Sequence, residues 1–156
     1  MNTSGHIIAV LVFACTPIHA APFAHYENRR YGFSLDYPAD LSAEQHPENG
    51  DGQTFSKRNG CLVRAFGSNN ALDRTAVSVE QERIKEFDKI TRRTRGKGWF
   101  SVLGSKEGQR RFVKVYVGNG SINELHIEQP LSGGSCAIAI EPVVSTFHPG
   151  RLNEAH

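Results

Sequence analysis

The sequence has no apolar run long enough to cross a bilayer as a helix. Its most apolar stretch, Ile7 to Ala14 (IIAVLVFA), is eight residues, and a spanning helix needs about 20. Charge of one sign is lacking too: 18 Lys+Arg stand against 16 Asp+Glu, a formal net charge of +2, which argues against a polyelectrolyte role. No C-x-x-C occurs, and the histidines form neither HxH nor HExxH, so a redox pair and the common zinc patterns are missing. Gly133-Gly134-Ser135-Cys136 is not the G-x-S-x-G of a nucleophile elbow. Gly96-Lys97-Gly98 lacks the glycine-rich lead of a phosphate loop. The carboxylates from Glu44 to Asp51 lack the alternating spacing of a calcium loop, and no carboxylate pair stands out as a glycosidase pair. The residues imply no cofactor, no metal and no catalytic group.

At 156 residues the chain suits one domain. A short apolar run, then Pro17 and the small residues Ala20 and Ala21, reads as a secretory signal peptide over 1–21, although MNTSGH carries no Lys or Arg. A minor alternative makes Cys15 a lipid-bearing cysteine, because Val12-Phe13-Ala14-Cys15 loosely matches a lipoprotein box. Either way the expected home is periplasmic or secreted, with no transmembrane span in the mature chain. The domain is expected over 26–148, with 149–156 as a flexible tail. After removal of the leader only Cys61 and Cys136 remain. An even pair in an oxidising compartment points to a disulfide; the other reading makes each a buried apolar side chain.

The strongest strand signal is Gly98 to Pro130, three alternating runs joined by glycine-rich turns. Phe112 and Tyr116 alternate with Val113, Val115 and Val117, and Leu125 and Ile127 with Glu124, His126 and Glu128. Upstream, Tyr31, Phe33, Leu35 and Tyr37 share one parity of a half-buried strand, after a loose lead-in from Pro22 to Arg30. The polar stretch Pro38–Gly52 reads as a loop. Residues 53–67 read as a hairpin turning at Asn59-Gly60. A helix is expected from Asp73 or Thr75, with Ala76, Val77, Ile84 and Phe87 on its apolar stripe, Val79 off it and Glu80 reaching for the rim. For 135–147 two readings stay open: a helix capped by Ser135 and kinked at Pro142, or an extended Cys136–Ile140 followed by a helix that begins at Pro142. The fold class is α+β, an antiparallel sheet of about five or six strands covered by helices.

Tyr31-Gly32-Phe33-Ser34-Leu35-Asp36-Tyr37-Pro38 resembles the opening hairpin of the PsbP/Mog1-like α/β/α sandwich class. Together with Gly98-Trp99-Phe100, the central hairpin and a closing helix, it is similar to small exported Gram-negative bacterial proteins of unassigned activity. The resemblance implies a PsbP-like topology and a periplasmic or secreted home. Its motifs are strand motifs, so it carries over no catalytic or cofactor residue.

One feature rises above background. Between Arg83 and Lys114, 11 basic residues stand against 3 acidic ones. Lys89, Arg92, Arg93, Arg95, Lys97, Arg110, Arg111 and Lys114 form the candidate surface for an anionic partner; a solvated edge strand would carry the same charges. No nucleic-acid motif is present. His126 and Glu128 share a strand face and make half a metal site at most; the plainer reading has both facing solvent with Glu124. Trp99, Phe100, Phe112 and Tyr116 read as a ligand platform or, more plainly, as core. The leading expectation is an exported, non-enzymatic accessory or binding protein that engages an anionic surface or an acidic partner through 83–114. That reading expects a conspicuous basic face and no buried polar cluster. The alternative, a small envelope hydrolase, expects a pocket that holds a histidine or carboxylate of shifted pKa, with His25 or His126 near Asp36, Asp40 or Glu128. A third, an assembly subunit, expects a flat apolar patch.

Overall fold

The computed structural model describes residues 22–133 and 136–155. The leader, Cys15 and the Ser135 cap lie outside them. Two strands, β1 (Phe23–Glu27) and β2 (Ser34–Pro38), form an antiparallel hairpin of their own. The other seven are β3 (Ser42–Ala43), β4 (Gly52–Ser56), β5 (Leu62–Asn69), β6 (Lys89–Gly96), β7 (Trp99–Lys106), β8 (Gln109–Val117) and β9 (Ser121–Pro130). They make one antiparallel sheet in the order β3-β4-β5-β9-β8-β7-β6. Helix α1 (Ala76–Arg83) links β5 to β6, and α2 (Ile140–Thr146) comes after β9.

The main sheet thus has seven strands; β1 and β3 join the strands read from the sequence, and the basic run is the solvated edge strand β6. β1 replaces the loose lead-in, since its alternating exposure leaves little apolar signal. β3 is a two-residue strand inside the expected loop. β6 is exposed at all eight residues, so its sequence alternates nothing apolar. The β7–β8 turn is the tight two-residue kind: Lys106 pairs with Gln109, and Glu107 and Gly108 both have positive φ, at 50° and 77°. That geometry matches strand twist and locks the register of both strands.

Both faces of the sheet are covered. On one, Phe112, Leu125 and Ile127 pack with Phe33 and Leu35 of the hairpin, Val143 of α2 and Phe147 just after it. On the other, Val79 of α1 sits among Phe100, Val102, Val113 and Val115. Phe100 and Phe112 are therefore core, on opposite faces.

Two expectations about α1 are overturned. Thr75 caps it in a reciprocal box with Ser78, but the buried apolar residue is Val79, while Val77 is 59% exposed. The α-helix stops at Arg83 and a 3₁₀ turn continues over Ile84–Glu86. Ala76, Ile84 and Phe87 do pack, partly buried, against the same cluster as Val79; Glu80 is buried beside them. In the C-terminal part, the segment from Cys136 to Ala139 is not helical and α2 begins at Ile140. Pro142 sits within its first turn, where no intrahelical donor is required.

The tail is also tied down where a flexible end was expected. His148 pairs with Ser34, Arg151 N–H bonds Tyr31 O, and Gly120 and Ser121 N–H both bond Leu152 O. Gly150 fits against the Tyr31–Phe33 backbone so closely that a Cβ there would collide with Tyr31 O and Phe33 N. Gly150→Ala is expected to cost about 1–3 kcal/mol by overpacking. Amide hydrogen exchange should quicken at Gly120 and Ser121; unchanged exchange would mean the tail contributes nothing there.

Candidate functional site

Strand β6 ends the sheet, and alternation divides the candidate basic residues between its two faces. Arg93 lies in register with Val102 and Arg95 with Phe100, on the α1 side. Arg95 Nε donates to Glu80 at 2.5 Å, with Arg93 at 3.9 Å. Glu80 is accordingly buried at the foot of α1, and does not reach the rim. Arg111, on the same side, pairs with Glu128 at 2.6 Å. Lys89, Arg92, Arg110 and Lys114 fall on the α2 side, and Lys97 sits in the β6–β7 turn. Arg92 meets Glu141 of α2 at 3.1 Å in an exposed pair. Lys114 Nζ lies 5.5 Å from the Trp99 ring centroid and 5.0 Å from that of Tyr116.

On that α2 side the register builds a cross-strand row. Lys89 opposes Ser105, Ser105 opposes Arg110, and Arg110 opposes Gln129. The next row along is Arg92, Leu103, Phe112, Ile127, which runs into the core. A hollow of about 510 Å³ lies over the first row, walled also by Pro130, Leu131, Cys136 and Ala137. A second, of about 640 Å³, shares Thr91, Arg110 and Gln129 and extends past Arg92 to Ile138 and Glu141. The segment that walls both hollows is held by the Cys61–Cys136 disulfide, with Cα atoms 6.1 Å apart, as the cysteine count suggests. Ile138 N–H donates to Gln129 Oε1 at 2.5 Å. Because a backbone N–H only donates, the oxygen must face Ile138, and the Gln129 amide N–H₂ is left without a hydrogen bond among the described residues.

The expectation that Glu124 and His126 face solvent is overturned. They are 1% and 3% exposed. Parity does set them opposite Leu125 and Ile127, but α1 and the turn after it cover that face. Arg83 clamps Glu124 with two hydrogen bonds, Nε to Oε2 at 2.8 Å and Nη2 to Oε1 at 2.7 Å, and gives a third to Glu86 at 2.9 Å. His126 Nε2 lies 3.0 Å from Glu124 Oε2, and Arg64 Nη2 is 3.3 Å from His126 Nδ1. An arginine only donates, so the ring proton belongs on Nε2, toward Glu124. Burial by itself would raise the Glu124 pKa; hydrogen bonds from His126 and Arg83, with the positive charge beside it, overcome that and bring it down to about 2. Hydrogen bonding to Glu124 in turn raises the pKa of Arg83.

A buried polar cluster therefore exists, against the expectation of the binding reading, but it is closed. A hollow of about 370 Å³ lies over Arg64 and Phe66, and neither His126 nor Glu124 lines it. His25 does reach Asp36, at 2.7 Å across the β1–β2 hairpin, but both side chains are exposed. Among the described residues no group of three His, Cys, Asp or Glu could hold a metal, and no helix is long and apolar enough to cross a membrane.

No family model matches the chain, and no curated protein does. Among solved structures it is similar to the solution structure of cyanobacterial PsbP (CyanoP) from Synechocystis sp. PCC 6803. The TM-score is 0.54 at 14% identity, over 88% of this chain and 98% of that one. A crystal structure from Bacteroides thetaiotaomicron VPI-5482 matches at TM-score 0.42 and 19% identity, over 76% of this chain and 45% of that one. At such identity the first likeness speaks to architecture alone: an antiparallel sheet covered by helices, and a PsbP-like fold.

Proposed function

We propose that this chain is an exported, non-enzymatic accessory protein of the bacterial envelope that takes an acidic protein segment along β6. The observation that carries the reading is the outer edge of the sheet. All eight residues of β6 are exposed, its only strand neighbour among the described residues is β7, and of its cations Lys89 has no acidic partner among the described residues and Arg92 only an exposed one. An extended segment adds to such an edge through main-chain hydrogen bonds. The cations repel a second copy of the same edge while attracting carboxylates. Export is supported by the Cys61–Cys136 disulfide, a bond that persists in oxidising compartments. The hydrolase alternative would need the Glu124–His126 pair, whose remaining ring nitrogen faces the donor Arg64.

The test is fluorescence anisotropy with a labelled peptide of alternating Glu and Thr, beside sedimentation with phosphatidylglycerol vesicles. Peptide affinity is expected to fall at least tenfold between about 50 and about 200 mM salt. It should also fall in the double variant Arg92→Glu/Lys97→Glu, whose positions are exposed. Binding to vesicles but not to peptide would replace the strand-addition reading with a surface one. Binding to neither would remove the basic edge as a functional surface.

A further inference from the structure

We propose that the row Lys89, Ser105, Arg110, Gln129 is a binding site for a small organic oxyanion, a phosphate ester or a carboxylate. The site goes beyond the edge-strand reading, since a ligand seated in the hollow needs no macromolecular partner.

Register sets the geometry. Four residues in direct cross-strand register on one face stand about 4.8 Å apart from strand to strand. Here each of the four carries a side-chain donor, and all four line the same hollow. Lys89 and Arg110, two strands apart, start roughly 10 Å from one another at the backbone. That separation lets an ammonium and a guanidinium close on one anionic group from either side. Ser105 between them can donate or accept.

Charge and hydrogen bonding agree. Neither Lys89 nor Arg110 has an acidic partner among the described residues, whereas Arg92, Arg93, Arg95 and Arg111 each do. Gln129 is more informative, because it is only 8% exposed. Its oxygen is committed to Ile138 N–H, so what it offers the hollow is a donor. Among the described residues no carboxylate lines this hollow; Glu141 lines only the neighbouring one, against Arg92. A site made of donors selects an acceptor-rich group, and a guanidinium fork suits an oxyanion bidentately. The ligand also needs a body. The volume falls within the range of small-molecule sites, and Pro130, Leu131 and Ala137 supply an apolar wall beside the donors.

The experiment is ¹H–¹⁵N NMR titration of the oxidised protein with inorganic phosphate, phenyl phosphate and benzoate. Phenyl phosphate or benzoate should saturate with shifts centred on Ser105, Arg110, Gln129 and Ala137. The one that does so identifies the headgroup, and it should bind about tenfold tighter than inorganic phosphate because of the apolar wall. Arg110→Gln, at an exposed position, should weaken it about tenfold. Lys97→Gln removes the same charge at the opposite end of β6 and should leave affinity within about twofold. Equal loss in the two variants would reduce the effect to general attraction and overturn the site, as would the absence of saturation by all three probes. Acidic-peptide binding at β6, measured in Arg110→Gln, should persist in either case, so failure here and failure of the edge-strand reading are separable.

Discussion

Glu124→Ala is expected to lower the thermal midpoint by on the order of 10 °C or more, the equivalent of about 3–5 kcal/mol. The glutamate accepts two hydrogen bonds from Arg83 and one from His126 in a site closed to solvent. Truncation leaves a partly buried guanidinium and a buried imidazole without their acceptor, which costs more than the pair gained on folding. Glu124→Gln should lose less, because an amide oxygen still accepts. The same group sets an acid dependence. Its folded pKa, about 2, lies below the ordinary glutamate value of 4.5, so the unfolded chain binds its proton first as pH falls. The stabilisation is complete above about pH 4.5 and disappears as pH falls through about 2. Urea unfolding at about pH 6 and about pH 3 should therefore show a wild-type loss that is smaller in Glu124→Gln. Equal losses in the two proteins would mean that other carboxylates carry the acid sensitivity.

Opening the Cys61–Cys136 disulfide should be nearly as costly. The bond spans a separation of 75 residues, for which chain entropy alone suggests about 4 kcal/mol. Denaturant midpoints of the wild type with and without reductant, and of the double variant Cys61→Ala/Cys136→Ala, should agree on a loss of about 2–4 kcal/mol. The loss should be local as well as global. The bond anchors the segment that carries Ile138 and walls the hollow with Cys136 and Ala137. Reduction is therefore expected to weaken phenyl phosphate or benzoate binding even where the fold survives. Protein recovered from the native envelope should have both thiols blocked to alkylation until reduced. Two freely reactive thiols would remove the compartment reading together with the crosslink.

The parity of the half-buried strands was legible in the amino-acid sequence, and so was their pairing wherever a short turn joined two runs. The Gly-rich turns between Gly98 and Pro130 already implied antiparallel neighbours, and an even cysteine pair already pointed to the disulfide. A period of two is a local property, set by the pleat. What covers a face is not local. Leu125 and Glu124 differ in parity, and only the packing of α1 decides that both are buried. The same packing sets Glu80 and Arg83 against the sheet, where Arg95 and Glu124 meet them. β6 was one of two alternatives for the basic run, an edge strand or a binding surface, because a strand wet on both faces has no apolar alternation to display. The eight basic residues looked like one surface because they are close in sequence. Strand alternation sends them to two faces, and tertiary contacts neutralise Arg93, Arg95 and Arg111 with Glu80 and Glu128. The row of donors depends on pairings between β6, β7, β8 and β9 and on the segment the disulfide lays beside them. Alternation set the fold class and the cysteine count the crosslink, and three-dimensional register chose which charges remain available to a ligand.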